Sequence, residues 1–492
     1  MPPHNWESPV ERSQREGPGS PGAQSMKSDL EAPAVGDFPH HINWALRLNI
    51  IAGFFGMFWI SVPLGAPLPL MMQGLQASAT QLGILSASWQ IATIAQIPAA
   101  FLVERLRRRK TSWVIVCLCH RILWATPAVV PLLFPNQRDT WTVMIITGLS
   151  LSNFLANLGT ASWLSWMADL VPAEIAGRFW AKRQSILSVA LVVSTILFGS
   201  ILDAHSPEHL LKGFQWVFGL CSVFGVADVI IHSFVREPEQ PPRQTINGIR
   251  SRLNEPFKTP GFGRLAFVMG IWTCAQSIVG YTLALPGFFS MVHLRQDYGA
   301  SHAQASWIFC CAAFGALLLT PRLGRWIDSD GAPAVFVRLI AVIPFTMLGW
   351  WGAPKGMLAL GNQEVPMAIV YMAPVAMVQG GLLAGALLCQ FRLTQMATCA
   401  QGRTVAMAIH WSGCGMGGCI GAMLAGAIQD RISLSWFDFL QGSWSAFDLL
   451  VLISALICWL FVLPFALSLR SQSFTPKQRI SILSQIKSAQ TG

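Results

Sequence analysis

The residues that could do chemistry in this chain are the few polar side chains standing inside long apolar runs. Arg121, preceded by His120, lies deep in the run 112–134. A guanidinium at that depth costs several kcal/mol unless it meets a partner or a water-filled cavity. Asp228 is the one acid clearly inside a run of the first half, so an Arg121–Asp228 pair, snorkelling of Arg121 and the binding of an anionic group by Arg121 are all open. Asn153 and Asn157 stand four residues apart and share one helix face. Trp272, Gln276 and Tyr281 occupy one run, Tyr371 and Gln379 another, and Trp59 the first. Neutral amides hydrogen-bond and rings stack on apolar faces, a combination that suits a polyhydroxylated or amide-bearing solute. The same amides also serve as glue between helices. His120, His232 and His410 lie in or beside apolar runs, where histidine relays protons or simply packs through a hydrogen bond.

A second group is set by repetition. Glu104 follows Ala100 by four residues at the end of one run, and Asp328 follows Gly324 by four at the end of another; 328 − 104 = 224. Gly177-Arg178 and Gly402-Arg403 repeat at 402 − 177 = 225. Two landmarks at one spacing mark a chain made of two copies of one half. An acid at a helix end is stabilised by the positive N-terminus of a neighbouring helix and by basic side chains such as Arg105 and Arg108. The arginines also satisfy the tendency of basic residues to stay on the cytoplasmic side of a membrane.

The elements that must position these residues are membrane spans. The chain is 53% hydrophobic and only 11% charged, where soluble domains carry about 25% charge. Its mean hydropathy is +0.49. Spanning the hydrocarbon takes about 20 apolar residues, and twelve runs qualify: 47–72, 82–103, 112–134, 141–168, 184–202, 214–235, 265–292, 303–323, 334–352, 366–391, 404–428 and 446–469. A polar stretch at 236–264, with five prolines and six basic residues, divides them into six and six. The halves are therefore 46–235 and 265–469, flanked by a disordered tail over 1–45 and a basic tail over 470–492. The first tail has no apolar core of a cleaved signal peptide. In the second, Ile480, Leu483 and Ile486 fit either a short interfacial helix or a solvated tail.

Lys and Arg orient the spans. With both termini in the cytoplasm, the external loops hold only Arg138, Lys212, Arg295, Lys355 and Arg431. The net charge of +10 is then a property of the cytoplasmic loops and weak support for nucleic-acid binding. The eleven cysteines include no CxxC pair and sit almost entirely in apolar runs, as small hydrophobes.

Six plus six spans, a central loop, and Ala100-x3-Glu104-Arg105-Leu106-Arg107-Arg108-Arg109 after the second span resemble the major facilitator superfamily over residues 45–470. That family's turn reads G-x3-D-R-x-G-R-R. Here Ala replaces the first Gly, Glu the Asp and Arg107 the second Gly, while Gly324-x3-Asp328-Ser329-Asp330-Gly331 keeps both glycines and the acid. The resemblance implies an all-α membrane protein of two pseudo-symmetric six-helix bundles. It also implies a gate latch, in which Glu104 meets the start of helix eleven near Arg403 and Asp328 the start of helix five near Arg178. The first, fourth, seventh and tenth helices would line the central cavity, placing Trp59, Asn153, Asn157, Gln276, Tyr281 and Gln379 as solute contacts, with Arg121 as the contact for an anionic group.

Helix two has no carboxylate before Glu104 and helix five no Gly-Pro pair, so neither melibiose-type cation coupling nor the drug–proton antiporter signature is supported. No catalytic constellation or metal site is expected. The expected protein is a monomeric transporter of a small polar solute in the cell membrane, with H⁺, Na⁺ or no coupling ion left open. A non-transporting sensor or binding subunit of the same fold is the alternative.

Overall fold

The computed structural model describes residues 39–106, 108–172, 175–238, 248–281, 287–361, 363–397, 403–431 and 445–471. Inside lipid every backbone N–H and C=O needs an internal partner, so long apolar runs become helices. In chain order the main helices are α1 (His40–Leu64), α2 (Ala79–Val103), α3 (Arg109–Leu123, continuing after a bend as Thr126–Leu133), α4 (Arg138–Leu170), α5 (Ala176–Asp203) and α6 (Leu210–Ser233). The second half holds α7 (Phe262–Ile278), α8 (His302–Asp330), α9 (Ala332–Leu348), α10 (Met367–Met396), α11 (Arg403–Arg431) and α12 (Ala446–Leu469). Ten helices are long and apolar enough to cross a membrane, eleven if the two parts of α3 count as one span.

The seventh expected span, 265–292, is where structure and expectation differ most. It falls on the 17-residue α7 and a separate helix, Phe288–Gln296, with Gly280 (φ +82°) ending the first piece. The α3 bend is 52°, and Pro127 explains it: its ring and missing N–H prevent continuation from Leu123. In α2, Pro98 has the same effect at smaller scale, and Ala92–Ala95 tighten into a 3₁₀ turn. The all-α expectation needs one correction. Met357–Leu360 and Gln363–Pro366 form an antiparallel hairpin between α9 and α10, and Gly361 at φ +62° supplies the turn conformation that L-residues resist. The central stretch 236–264 also contains a helix, Ile249–Lys258. The tail expectations for 1–38 and 472–492, including Ile480, Leu483 and Ile486, lie outside the described residues.

Glycines bring α11 against two neighbours. A Cβ at Gly417 would stand 2.0 Å from the Gly270 carbonyl oxygen of α7, one at Gly421 2.2 Å from that of Cys274, and one at Gly415 2.3 Å from that of Gln90 in α2. The backbones can approach this closely only where no side chain intervenes. Gly315 and Gly380 join α8 to α10 in the same way.

Because backbone atoms cannot move aside as side chains do, Gly421→Ala should destabilise the protein by about 1–3 kcal/mol. Gly413→Ala, which meets nothing within 4 Å, should be silent. Melting curves of both variants in detergent check this.

Candidate functional site

Polar side chains inside the bundle form two separate groups. The first lies within the amino-terminal half. Arg121 Nη2 donates to Asp228 Oδ2 at 2.8 Å, and the side chains are only 11% and 7% exposed. The second oxygen of Asp228 meets His232 Nδ1 at 3.1 Å, and His232 Nε2 lies 3.1 Å from Asn49 Nδ2. Asn49 Oδ1 accepts from Arg183 Nε at 2.7 Å. Arg121 also lies over Trp59, its guanidinium carbon 3.6 Å from the ring centroid, a cation–π contact in a desolvated setting. His120 beside it bonds through Nδ1 to Ser152 Oγ at 2.7 Å. Two glycines make room: a Cβ at Gly56 would press on the Asp228 carboxylate at 3.1 Å, and one at Gly225 on Arg121 Cδ at 2.8 Å. The network ties α1, α3, α4, α5 and α6 into one unit. The open question about Arg121 thus resolves in geometry as a paired charge.

The second group surrounds a cavity of about 120 Å³ bordered by α2, α7, α10 and α11. Trp89, Gln90 and Thr93 enter from α2, Trp272, Thr273 and Gln276 from α7, Gln390 from α10 and Trp411 from α11, with Tyr281 just beyond α7. No charged side chain among the described residues lines it. Gln90 Nε2 donates to Ser277 Oγ at 3.3 Å and Gln390 Nε2 to Cys414 Sγ at 3.3 Å. Gln276 has no side-chain hydrogen bond among the described residues, so its amide faces the cavity with its full bonding capacity.

The expected solute contacts divide accordingly. Gln276 and Tyr281 line this cavity. Gln379 stands behind Tyr281, its Oε1 accepting from the phenol at 2.9 Å and from Trp350 Nε1 at 3.3 Å, and so fixes the ring. Asn153 donates to Ser88 at 3.2 Å and Asn157 accepts from Gln96 at 2.8 Å, both tying α4 to α2. Trp59 lies under Arg121. The sequence reading missed Trp89, Gln90, Thr273, Gln390 and Trp411. Gln90 and Gln390 are glutamines inside apolar runs, the same signal that singled out Gln379; the resemblance gave the lining to helices other than α2 and α11 and so passed over Gln90 and Trp411, whereas Gln390 stands on a helix that it did name.

The latch residues are less assembled. The side chains of Glu104, Arg105, Arg178 and Arg403 lie outside the described part of the structure. Arg108 is exposed, and so is Asp328, which has no ion-pair partner among the described residues. The neighbouring Asp330 pairs with Arg338. Arg109 is the buried member of the basic turn. It meets Asp169 at 2.6 Å and Glu237 at 3.4 Å, while Glu237 also accepts from the Arg109 N–H at 2.9 Å and so caps α3.

The buried pair yields a prediction. Arg121→Leu or Asp228→Leu alone leaves an uncompensated charge and should cost about 3–5 kcal/mol. The double variant should recover most of that loss in melting temperature and in monodisperse yield.

Comparison with known proteins places this geometry in a wider frame. The family model described as Major Facilitator Superfamily matches residues 48–289. No curated protein matches the chain. The chain is similar in structure to the nucleoside transporter NupG in a point-mutant form, at 14% identity and TM-score 0.62, covering 86% of this chain and 98% of that one. It is similar to a D-xylose-proton symporter at 15% identity and TM-score 0.61, covering 85% and 97%. It is also similar to a bacterial homolog of the human lysosomal transporter Spinster, inward-facing and unoccupied, at 13% identity and TM-score 0.58, covering 87% and 97%.

Proposed function

The chain belongs to the major facilitator superfamily, a family of membrane transporters and not of enzymes, and from that premise we propose that it carries a small uncharged polar solute across the membrane by alternating access. The cavity between α2, α7, α10 and α11 binds the solute, and the face bearing the basic turn of Arg105–Lys110 is cytoplasmic. One observation supports this above the others: the described lining of the cavity combines glutamine amides and hydroxyls with the indoles of Trp89, Trp272 and Trp411, and carries no charge. A charged solute in that setting lacks a counter-charge and loses its hydration, whereas a neutral ring with hydroxyl or amide groups keeps its hydrogen bonds and buries its faces. Arg121, the residue best suited to an anion, is neutralised by Asp228. The nucleoside and the xylose transported by two structural relatives both belong to this chemical class.

The test is thermal stabilisation of the purified protein by nucleosides, sugars, organic acids and organic cations, each with and without Na⁺. A ligand that binds the folded state at a hundred times its Kd adds about 2.7 kcal/mol. Neutral solutes should shift the melting temperature saturably, and Gln276→Ala or Trp411→Ala should weaken binding about tenfold or more, as expected where a hydrogen bond or a large ring contact is lost. A saturable response confined to organic acids or cations would overturn the proposal.

A further inference from the structure

The two halves meet at the face opposite the basic turns through a pair of contacts that mirror each other. At the start of α2, Asp430 from the end of α11 accepts the N–H of Ala79 at 2.9 Å and of Thr80 at 2.7 Å. At the start of α8, Asp203 from the end of α5 accepts the N–H of His302 and of Ala303, each at 2.9 Å, together with Ser301 Oγ at 2.7 Å. Each helix start also carries its own capping box, Ser78 with Gln81 and Ser301 with Gln304. The amides a helix leaves open at its N-terminus are thus filled jointly, the third by the helix's own serine and the first two by a carboxylate from the other half. The positive end of the helix adds to the attraction.

The repetition is quantitative. Asp430 follows Asp203 by 430 − 203 = 227 residues, and a glycine stands four positions before each acid, Gly199 and Gly426, again 227 apart. Both glycines touch the partner helix: a Cβ would stand 2.8 Å from Ala303 Cα at Gly199 and 2.5 Å from the Ala79 oxygen at Gly426. This small-x3-acid pattern is the one at Ala100-x3-Glu104 and Gly324-x3-Asp328, now at the other ends of the antiparallel pairs α2–α11 and α5–α8. We propose that Asp203 and Asp430 are two clasps that hold this face shut, and that they are the opposite-face counterparts of Asp328 and Glu104, so that each helix pair is fastened at one end or the other. In the state described, the Asp203 and Asp430 ends are made, and Asp328 stands exposed without an ion pair among the described residues. This rests on the alternating-access reading. It adds to it which groups break when the closed face opens.

Hydrogen–deuterium exchange on the full-length protein in nanodiscs tests it. Asp203→Ala and Asp430→Ala should each raise exchange at the capped amides about tenfold or more, and lower exchange at the opposite ends of α2 and α8, around 100–106 and 324–330, as the balance shifts. Ser445→Ala removes the cap that Ser445 and Asp448 form at the start of α12, a contact within one half, and should act only locally. If the acid variants also act only locally, they are ordinary helix caps and the clasps are overturned. Should an alanine variant fold poorly, Asp203→Asn and Asp430→Asn keep an acceptor without its charge and should give the same redistribution at smaller amplitude; its absence overturns the proposal equally. The measurement needs no solute. Redistribution without any solute hit therefore leaves the clasps standing and the transport reading in question, whereas a solute hit with silent clasps overturns the clasps alone.

Discussion

A charge or an amide in hydrocarbon must meet a partner, and in this protein that requirement decides where each polar side chain lies. Asp228 is the clearest instance. It takes Arg121 on one oxygen and His232 on the other, and through His232 and Asn49 the chain of contacts reaches Arg183. Four helices of the first half, α1, α3, α5 and α6, are thereby keyed to one another, and the His120–Ser152 bond adds α4. The second half has no comparable ion pair at depth among the described residues. Its buried polar side chains are amides, hydroxyls, indoles and the histidines His293, His302 and His410, with Asp448 at the start of α12. One half is consolidated by charge, while most of the lining of the uncharged cavity comes from the other.

Close backbone contact is the second constraint, and it follows from the first. Helices that bury few charges against each other in lipid gain little from hydrophobicity, so their association relies on tight packing and on hydrogen bonds. The glycines of α11 provide the packing against α7 and α2, and Gln90, Thr93 and Ser412 add hydrogen bonds in the same region. The cavity lies beside this seam. Its α2 wall coincides with the 3₁₀ turn caused by Pro98, which places Gln90 and Thr93 next to α11.

Much of the architecture was legible before any coordinates. Hydropathy marks nearly every span, and the 224- and 225-residue offsets are read from the chain alone. It fails at 265–292, because average apolarity does not register Gly280, where the helix ends. It also passes over the hairpin at 357–366, which positive-φ glycines flank at Gly356 and turn at Gly361. Of the candidate site, Gln276 and Tyr281 border the cavity, whereas Asn153, Asn157 and Gln379 turn to neighbouring side chains. Polar residues in a span announce that they have partners and do not announce which.

The sequence by itself determined that this is a helical, multi-span membrane protein with an arginine and an aspartate inside its apolar runs. Length, apolarity and internal spacing are properties of the chain, and water-free surroundings enforce their consequence. Only the tertiary structure decided that Arg121 and Asp228, 107 residues apart, meet each other, and that α2 and α11 wall the cavity. It alone joined Asp203 and Asp430 to the helix starts of the opposite half. Those outcomes depend on how each helix is rotated and how closely its backbone approaches the next. That is set by glycines and proline breaks acting across the bundle, where no local period records it.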